Sequence, residues 1–322
     1  MIIKKIEEIR TSSPLFLNLN IFKLENFFLK FEGVNIAGSI KIKTACSLIE
    51  ALEKTGISPI HNKIIESSSG NLGIALSIVC KSRGYHFTCI IDPNISPHSE
   101  TLMKLYGANL IKVTEKDSQG GYLGTRIELI EKMLQNDKTL IWTNQYSSAA
   151  NPLVHYQETA AEILREFSKI DYLFIGVGTS GTIVGIAEHI KEHSPSTRII
   201  AVDSVGSVTF GFESAKRYIP GLGTSRKPPI CNTENIDEIM LIHEKDATQM
   251  CNYLLKKHGL FLGGSSGSAL SAVKESLPRL PPKAFIIAIS PDFGEKYIST
   301  IYNPEWVHKV FNISIDRDIE CL

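Results

Sequence analysis

The chain has 322 residues, of which 43% are hydrophobic and 21% charged, and its formal net charge at pH 7 is zero. This is the composition of a soluble globular protein, and the length predicts two domains. The charge balance argues against a nucleic-acid or anionic-membrane partner. No apolar run approaches the roughly 20 residues of a membrane span. The N-terminus lacks the apolar segment of a signal peptide, so a cytoplasmic location is expected.

Apolar, β-branched segments alternate with longer amphipathic segments along the chain. The predicted strands are Lys63–Glu66, Phe87–Asp92, Leu110–Val113, Leu140–Trp142, Tyr172–Val177, Ile199–Asp203, Glu238–Ile242 and Phe285–Ile289. The predicted helices are Leu72–Arg83, Leu123–Leu134, Val154–Phe167, Thr182–His193, Ala247–Lys257 and Ser268–Leu277. This alternation predicts an α/β fold with largely parallel sheets. Tyr146–Pro152 and Pro220–Pro229 are predicted loops that line a site or join the domains.

The cysteines, histidines and isolated acids predict no metal site. The six cysteines are Cys46, Cys80, Cys89, Cys231, Cys251 and Cys321. Because none forms a Cys-x-x-Cys pair, we expect reduced thiols without a disulfide framework. His189 and His193 have helical spacing, but the His-Glu-x-x-His pattern is absent and an exposed helix end is predicted. Glu32, Asp92 and Asp292 stand alone in the sequence and suggest no pair of catalytic carboxylates.

Three turns rich in glycine and hydroxyl residues each follow an apolar segment and precede a helix. They are Ser67–Asn71, Gly178–Thr182 and Gly263–Gly267. The apolar segment before the third turn, Leu260–Leu262, is also predicted to be a strand. Such turns leave backbone N–H groups free at a helix N-terminus, where the helix dipole favours an anion. Together they predict a small ligand with two anionic groups, although simple helix capping is the alternative. None matches a phosphate-binding loop or dinucleotide fingerprint, so nucleotide cofactors are disfavoured.

Lys41 is predicted to lie in the first turn of a helix, after Gly38 and Ser39. A cation at this positive end of a helix is unfavourable, and Lys43 would add repulsion. The pKa of Lys41 should therefore be lowered, which favours the neutral, nucleophilic amine. The alternative is an ordinary exposed lysine.

Four segments, in this order and spacing, resemble the motifs of the cysteine synthase / cystathionine β-synthase family of fold-type II pyridoxal-phosphate enzymes. They are Asn35–Lys41, Ser68–Asn71, Gly178–Thr182 and Gly263–Gly267. The resemblance extends from Pro14 to Tyr297. It implies a two-lobed α/β fold like that of tryptophan synthase β, pyridoxal 5'-phosphate as cofactor, amino-acid substrates and a homodimer. It further implies a smaller, mobile domain (35–146) that binds the substrate carboxylate, and a larger domain (1–34 and 147–322) that binds the cofactor phosphate.

The resemblance also implies residue roles. Lys41 would form the Schiff base and move the proton at Cα. The cofactor phosphate is assigned to Gly178, Thr179, Ser180, Gly181 and Thr182, and the 3-hydroxyl to Asn71. The substrate carboxylate is assigned to Ser68, Ser69, Gly70, Asn71 and Gln145. Ser265 would face the pyridine nitrogen, and a hydroxyl there makes the ring a milder electron sink, which favours loss of a β-leaving group over transamination.

Departures from the family pattern argue against an ordinary cysteine synthase. Ile42 and Lys43 stand where the family usually has Asp-Arg, Ile36 replaces a proline, and Leu72 replaces a threonine. Several segments instead resemble the N-(2-amino-2-carboxyethyl)-L-glutamate synthase branch of the staphyloferrin B and 2,3-diaminopropionate pathway. These are Glu66–Leu76, Gly120–Arg126, Asn144–Tyr146, Gly206–Gly211 and Pro220–Arg226.

That branch implies that O-phospho-L-serine loses phosphate and the amine of L-glutamate takes its place, towards a siderophore or other specialised metabolite. The phosphate leaving group needs a cation, for which Arg226, then Arg126 and Lys43, are candidates. Tyr146 would face the second substrate. Surface exposure of Arg226 and packing of Tyr146 in a loop are the alternatives. A cysteine synthase that uses O-acetyl- or O-phosphoserine with sulfide, a serine/threonine dehydratase, and a non-catalytic amino-acid sensor of the same fold also stay open.

Overall fold

The computed structural model describes residues 14–118 and 120–315. Its strands are β1 (Leu15–Asn18), β2 (Phe27–Phe31), β3 (Lys63–Ser67), β4 (Phe87–Ile91), β5 (Asn109–Lys112), β6 (Leu140–Trp142), β7 (Tyr172–Gly176), β8 (Arg198–Ser204), β9 (Glu238–Ile242) and β10 (Ile286–Ser290). They form two sheets, ordered β1-β2-β10-β7-β8-β9 and β5-β4-β3-β6. All neighbouring strands are parallel except β1 and β2. The predicted α/β class is confirmed.

The α-helices connect the strands and cover the sheets. They are α1 (Lys41–Glu53), α2 (Asn71–Arg83), α3 (Pro97–Leu105), α4 (Leu123–Asn136), α5 (Ala150–Val154), α6 (Ala161–Glu166), α7 (Gly181–His193), α8 (Glu244–His258), α9 (Gly264–Ser276) and α10 (Pro304–Phe311). A π-helical segment, His155–Ala160, joins α5 to α6. Within the described residues, no helix is long and apolar enough to cross a membrane.

Helices pack on both faces of each sheet, as parallel sheets require. On the smaller sheet, α1 and α2 cover one face through side chains such as Cys46 and Ile74, and α4 covers the other through Ile130. On the larger sheet, α8 and α9 cover one face and α7 the other, with Leu254 and Ile186 among the buried side chains. The smaller sheet lies inside residues 35–146, and the division into two domains stays a proposal.

Two expectations about local structure were wrong. Leu260–Leu262 is not a strand, because Leu262 makes only an isolated antiparallel bridge with Phe293. The predicted helix Val154–Phe167 starts earlier, at Ala150, and is interrupted by the π-helical turn. Strands β1 and β2 were not predicted.

The topology gathers the glycine- and hydroxyl-rich turns in one region. Parallel strands of a sheet end at the same edge, and ligands of α/β folds bind there. β3 leads into Ser67–Asn71 and β7 into Gly178–Thr182. The segment after β10 contacts the third turn, where the Gly263 N–H donates to the Asp292 carbonyl oxygen at 3.1 Å, and it also contacts the start of α1. In that last contact, the Ile40 N–H donates to the Pro291 carbonyl oxygen at 2.9 Å.

Candidate active site

Lys41 is the first residue of α1, and its side chain reaches across to the turn that follows β7. Its Nζ donates to the Thr179 Oγ1 at 3.4 Å. Burial lowers the pKa of Lys41 to about 8, against the opposing charge of Glu66. The predicted direction of the shift is confirmed, but its largest cause is burial, and not the helix dipole or the repulsion by Lys43 that the sequence suggested.

Lys43 lies in a buried ion-pair cluster away from this turn. It is 3% exposed, and its Nζ contacts the carboxylates of Glu32 at 3.1 Å and Glu162 at 2.9 Å. Lys30 pairs with the same two carboxylates. Burial alone would lower the pKa of Lys43, yet the two carboxylates raise it, so the ammonium is held charged. The expectation that Lys43 faces a leaving phosphate was wrong, because its charge is already neutralised inside the protein.

The turn after β7 has the features of an anion cradle. Ser180 precedes α7 with φ of 71°, a left-handed conformation that is strained for a residue with a side chain. Its Oγ is buried without a hydrogen-bond partner in the part of the chain that the structure describes. At Gly178, an added Cβ would lie 2.9 Å from the Gly221 carbonyl oxygen, so a larger residue would disturb the turn. A bound phosphate would satisfy the Ser180 hydroxyl and the free N–H groups at the start of α7. Gly181 and Thr182, which end the turn, are the first two residues of α7.

His155 contacts this turn from the adjacent π-helical segment, and the sequence analysis did not identify it as a candidate site residue. Its Nε2 lies 3.3 Å from the Thr182 Oγ1 and 3.2 Å from the Thr44 Oγ1. Burial holds the pKa of His155 well below its usual range, so the imidazole is neutral. It begins the π-helical segment, and such segments occur often at functional sites. A lone histidine inside an amphipathic pattern gave no signal for this role.

The turn after β3 is held by hydrogen bonds within the protein. The Ser68 Oγ accepts the Gly73 N–H at 3.0 Å, which is a helix-capping contact, as the alternative interpretation proposed. The Ser69 Oγ donates to the Asp92 Oδ2 at 2.9 Å and accepts from the Arg126 Nη1 at 3.2 Å. A Cβ added to Gly70 would meet nothing within 4 Å, so open space lies beside the turn.

Glu66 joins this turn to the loop that contains Gln145. Its carboxylate accepts from the Gln145 N–H at 3.1 Å, the Trp142 Nε1 at 3.0 Å and the Thr143 Oγ1 at 2.6 Å. Burial raises the pKa of Glu66, although these donors oppose the shift. The Gln145 Oε1 is buried and, among residues 14–118 and 120–315, makes no hydrogen bond. Gln145 therefore carries an unused acceptor in the loop that Glu66 joins to the Ser67–Asn71 turn.

Asn71 and Ser265 lie at the starts of two helices. Asn71 opens α2, and its Nδ2 donates to the Asp292 Oδ2 at 2.8 Å. Ser265, in the first turn of α9, is buried, and its Oγ would be 4.0 Å from a Cβ placed on Gly221. Asp292, which the sequence presented as an isolated acid, is thus part of the same region.

Arg126 and Tyr146 lie near each other, whereas Arg226 differs from them in being exposed. The Arg126 Nη1 contacts the Asp92 Oδ2 at 3.2 Å, and its Nε is buried without a partner from the described residues. Burial raises the pKa of Tyr146, against the nearby charges of Arg126 and Arg217. Arg226 is exposed.

Arg217 is a second guanidinium of this region that sequence reasoning missed. Its Nη1 donates to the Leu222 carbonyl oxygen at 2.9 Å, which fixes the loop that also contacts Gly178. No motif marked it. Among the described residues, no group of three His, Cys, Asp or Glu side chains could hold a metal ion.

A comparison with protein families identifies the chemistry of this site. The family model described as pyridoxal-phosphate dependent enzyme matches residues 8–292. The chain belongs to this family. The cofactor is therefore pyridoxal 5'-phosphate, and the described residues fit it: a lysine of lowered pKa, an anion cradle with an unsatisfied hydroxyl, and open space beside Gly70.

Relatives narrow the type of reaction. The chain is 40% identical over 314 residues to the N-(2-amino-2-carboxyethyl)-L-glutamate synthase of Ralstonia nicotianae. The aligned residues cover 96% of this chain and 93% of that protein. It is 43% identical over 288 residues to the enzyme of the same name from Cupriavidus metallidurans, with coverage of 88% and 84%. The solved structure of the O-acetylserine dependent cystathionine β-synthase from Helicobacter pylori is also similar, with a TM-score of 0.85, 28% identity, and coverage of 94% of this chain and 100% of that one. The protein is a cysteine synthase-like enzyme that catalyses β-replacement, and the alternative of a non-catalytic sensor is set aside.

Proposed function

We propose that the enzyme joins the amine of L-glutamate to Cβ of O-phospho-L-serine. The Cβ–O bond breaks, inorganic phosphate leaves, a Cβ–N bond forms, and the incoming ammonium gives up a proton. The product is N-(2-amino-2-carboxyethyl)-L-glutamate, a precursor of 2,3-diaminopropionate for a siderophore or other specialised metabolite. The observation that carries the proposal is the identity of 40% and 43%, over most of the chain, to two enzymes of this name.

Each residue of the site has a proposed part in this reaction. Bound pyridoxal phosphate supplies an electron sink that stabilises negative charge at the substrate Cα. Lys41 attaches the cofactor and moves the proton at Cα through its Nζ, which burial makes easier to deprotonate. The Gly178–Thr182 turn holds the cofactor phosphate, and Ser265 faces the ring nitrogen. Ser68, Ser69, Gly70, Asn71 and Gln145 orient the substrate carboxylate.

We assign the leaving phosphate to Arg126, and we assign the neighbouring Tyr146 to the second substrate. Arg126 contacts Ser69, so its guanidinium borders the Ser67–Asn71 turn, and its buried Nε needs an acceptor. A phosphate dianion is such an acceptor and forms strong charge-assisted hydrogen bonds with arginine. We further propose that the enzyme is cytoplasmic and forms a homodimer. The five described cysteines form no disulfide, which is consistent with a cytoplasmic location. Cys321 lies outside the described residues.

A cysteine synthase activity with O-acetylserine and sulfide is the second candidate. Two observations favour it: Arg126 is already paired with Asp92, and Arg226 is exposed. Both fit a leaving group of smaller charge than phosphate.

A panel of substrates separates the candidates. Purified enzyme is given O-phospho-L-serine or O-acetyl-L-serine, each with L-glutamate or sulfide, and products are measured by mass spectrometry and phosphate release. We expect the phosphoserine–glutamate pair to have the highest kcat/KM. Arg126→Gln should lower kcat/KM for phosphoserine about tenfold or more, as loss of a charged hydrogen bond does, and should affect acetylserine much less. Arg226→Gln is the matched control. Equal losses with both donors in Arg126→Gln would contradict its phosphate role, and a preference for sulfide would favour a cysteine synthase.

A further inference from the structure

A partly buried polar cluster connects the start of α2 with the segment after β10. We call it the Asn71 cluster, and it consists of Asn71, Asp292 and Lys296. The Asn71 Nδ2 donates to the Asp292 Oδ2 at 2.8 Å, and the Lys296 Nζ donates to the Asn71 Oδ1 at 2.5 Å. The Lys296 Nζ also lies 3.7 Å from the Asp292 Oδ2. The amide of Asn71 is therefore held between a carboxylate and an ammonium group.

The two charged side chains of the cluster have little contact with water, and Lys296 also joins the cluster to the segment before Lys41. Asp292 is 1% exposed, and the Lys296 side chain is 10% exposed. Lys296 donates a further hydrogen bond to the Gly38 carbonyl oxygen at 3.2 Å. Because electrostatic interactions strengthen when water is excluded, both charges act strongly on the Asn71 amide.

The two charges determine which way the Asn71 amide points. A carboxylate only accepts hydrogen bonds and an ammonium only donates them. Rotating the amide by 180° would set its NH2 group against Lys296 and its oxygen against Asp292, and both charge-assisted hydrogen bonds would be lost. The Nδ2 carries two hydrogens, and the structure shows one acceptor for them, Asp292, among the described residues. The second N–H is left for a ligand.

We propose that Asp292 and Lys296 are positioning residues that fix the Asn71 amide so that an N–H, and not its carbonyl oxygen, faces the ring oxygen of the cofactor. The inference rests on the proposed function, in which Asn71 contacts that oxygen. A hydrogen-bond donor favours the deprotonated ring oxygen, whereas a carbonyl oxygen in the same place would repel it. The cluster thus selects the ionic form in which the cofactor is bound.

Two equilibrium measurements on the protein with its cofactor test the inference. The first is the dissociation constant of pyridoxal phosphate from a titration of cofactor-free protein, followed by quenching of its fluorescence. The second is the ratio of the longer-wavelength absorbance band of the bound cofactor, which belongs to the deprotonated ring oxygen, to the shorter-wavelength band. Lys296→Met and Asp292→Asn should each weaken binding about tenfold, the effect of a lost charge-assisted hydrogen bond, and shift the ratio toward shorter wavelength.

Two matched variants separate positioning from folding. Lys296→Arg keeps the cation and should restore both readouts to within about threefold of the original protein, if charge and not shape orients the amide. Tyr297→Phe removes the other donor to the Asp292 Oδ2, which lies at 3.0 Å, and leaves the Asn71 contacts in place. It should change the dissociation constant less than about twofold, as expected for a residue that does not hold the amide.

The outcomes distinguish this inference from the function on which it rests. Asn71→Ala should weaken cofactor binding and change the band ratio. If it changes neither, the contact between Asn71 and the cofactor is refuted, and the positioning role with it. If Asn71→Ala changes both while Lys296→Met and Asp292→Asn change neither, only the positioning role of Asp292 and Lys296 is overturned.

Discussion

Two lysines of α1 have different environments because they lie on different sides of the helix. Lys41 and Lys43 are two positions apart, and such residues point to different sides of a helix. Lys41 reaches Thr179, while Lys43 enters the buried cluster with Glu32 and Glu162. Glu32 lies 11 residues before Lys43 and Glu162 lies 119 residues after it, so a local reading of the sequence could not identify these partners.

Lys41 should capture the cofactor with a distinctive pH dependence. Burial lowers its pKa to about 8, so the fraction of neutral amine rises with pH and is nearly complete above that value. We expect the rate at which cofactor-free protein binds pyridoxal phosphate covalently to rise up to about tenfold per pH unit below pH 8 and then level off. Stopped-flow absorbance measures this rate.

Two controls make the pH profile interpretable. The same reaction with Nα-acetyl-lysine amide, whose side-chain amine is free, corrects for ionisation of the cofactor itself. Lys41→Gln should form no covalent adduct at this position. An ordinary lysine has a pKa near 10.4. A rate that keeps rising to pH 10 would therefore contradict the assignment of a perturbed amine.

At the scale of elements, the sequence located most strands because central strands of parallel sheets are short apolar runs. Every predicted strand from Lys63 onward, apart from Leu260–Leu262, matches an observed one within one residue at each end. β1 has intermediate or exposed side chains at the sheet edge, and β2 contains the buried charge of Lys30, so neither had a clear pattern. The π-helical turn was not predictable, since its register depends on packing against α7 rather than on local composition.

Features of the candidate site that belong to a single turn could be recognised in the sequence. Features that depend on contacts between distant residues could not. The glycine–hydroxyl turns and Lys41 stand out as motifs. His155, Arg217 and Glu66 do not, because their importance comes from hydrogen bonds to residues that are distant in the sequence or on other elements. Asp292 appeared isolated for the same reason.

Glu66 should stabilise the connection between β3 and the loop after β6. In Glu66→Gln, an NH2 group replaces one acceptor oxygen and faces donors such as the Thr143 hydroxyl and the Gln145 N–H. We expect the free energy of unfolding to fall by about 2 kcal/mol, the cost of an unsatisfied buried polar group. Urea unfolding measures this change, and Glu128→Gln, at an exposed position of α4, is the matched control. Equal stability of both variants would show that the Glu66 contacts do not hold the loop.

At the scale of the whole molecule, the site lies between two sheets. β3 and β6 of the smaller sheet supply Ser68, Asn71 and Gln145, while β7 and β10 of the larger sheet lead to Thr179 and Asp292. The Asn71 cluster and the contact between Lys41 and Thr179 connect the two sides. Closure of such a site would exclude water, which protects a reactive bound substrate from hydrolysis.

The proposed reaction of this enzyme is β-replacement with phosphoserine and glutamate on a cofactor held by Lys41. The most direct test is the absorbance spectrum of the cofactor-loaded enzyme during sequential additions. We expect O-phospho-L-serine to release one phosphate per active site and to shift the cofactor band to a stable new position, and L-glutamate to restore the original spectrum. An unchanged spectrum with phosphoserine, or restoration by sulfide but not by L-glutamate, would contradict the proposed reaction.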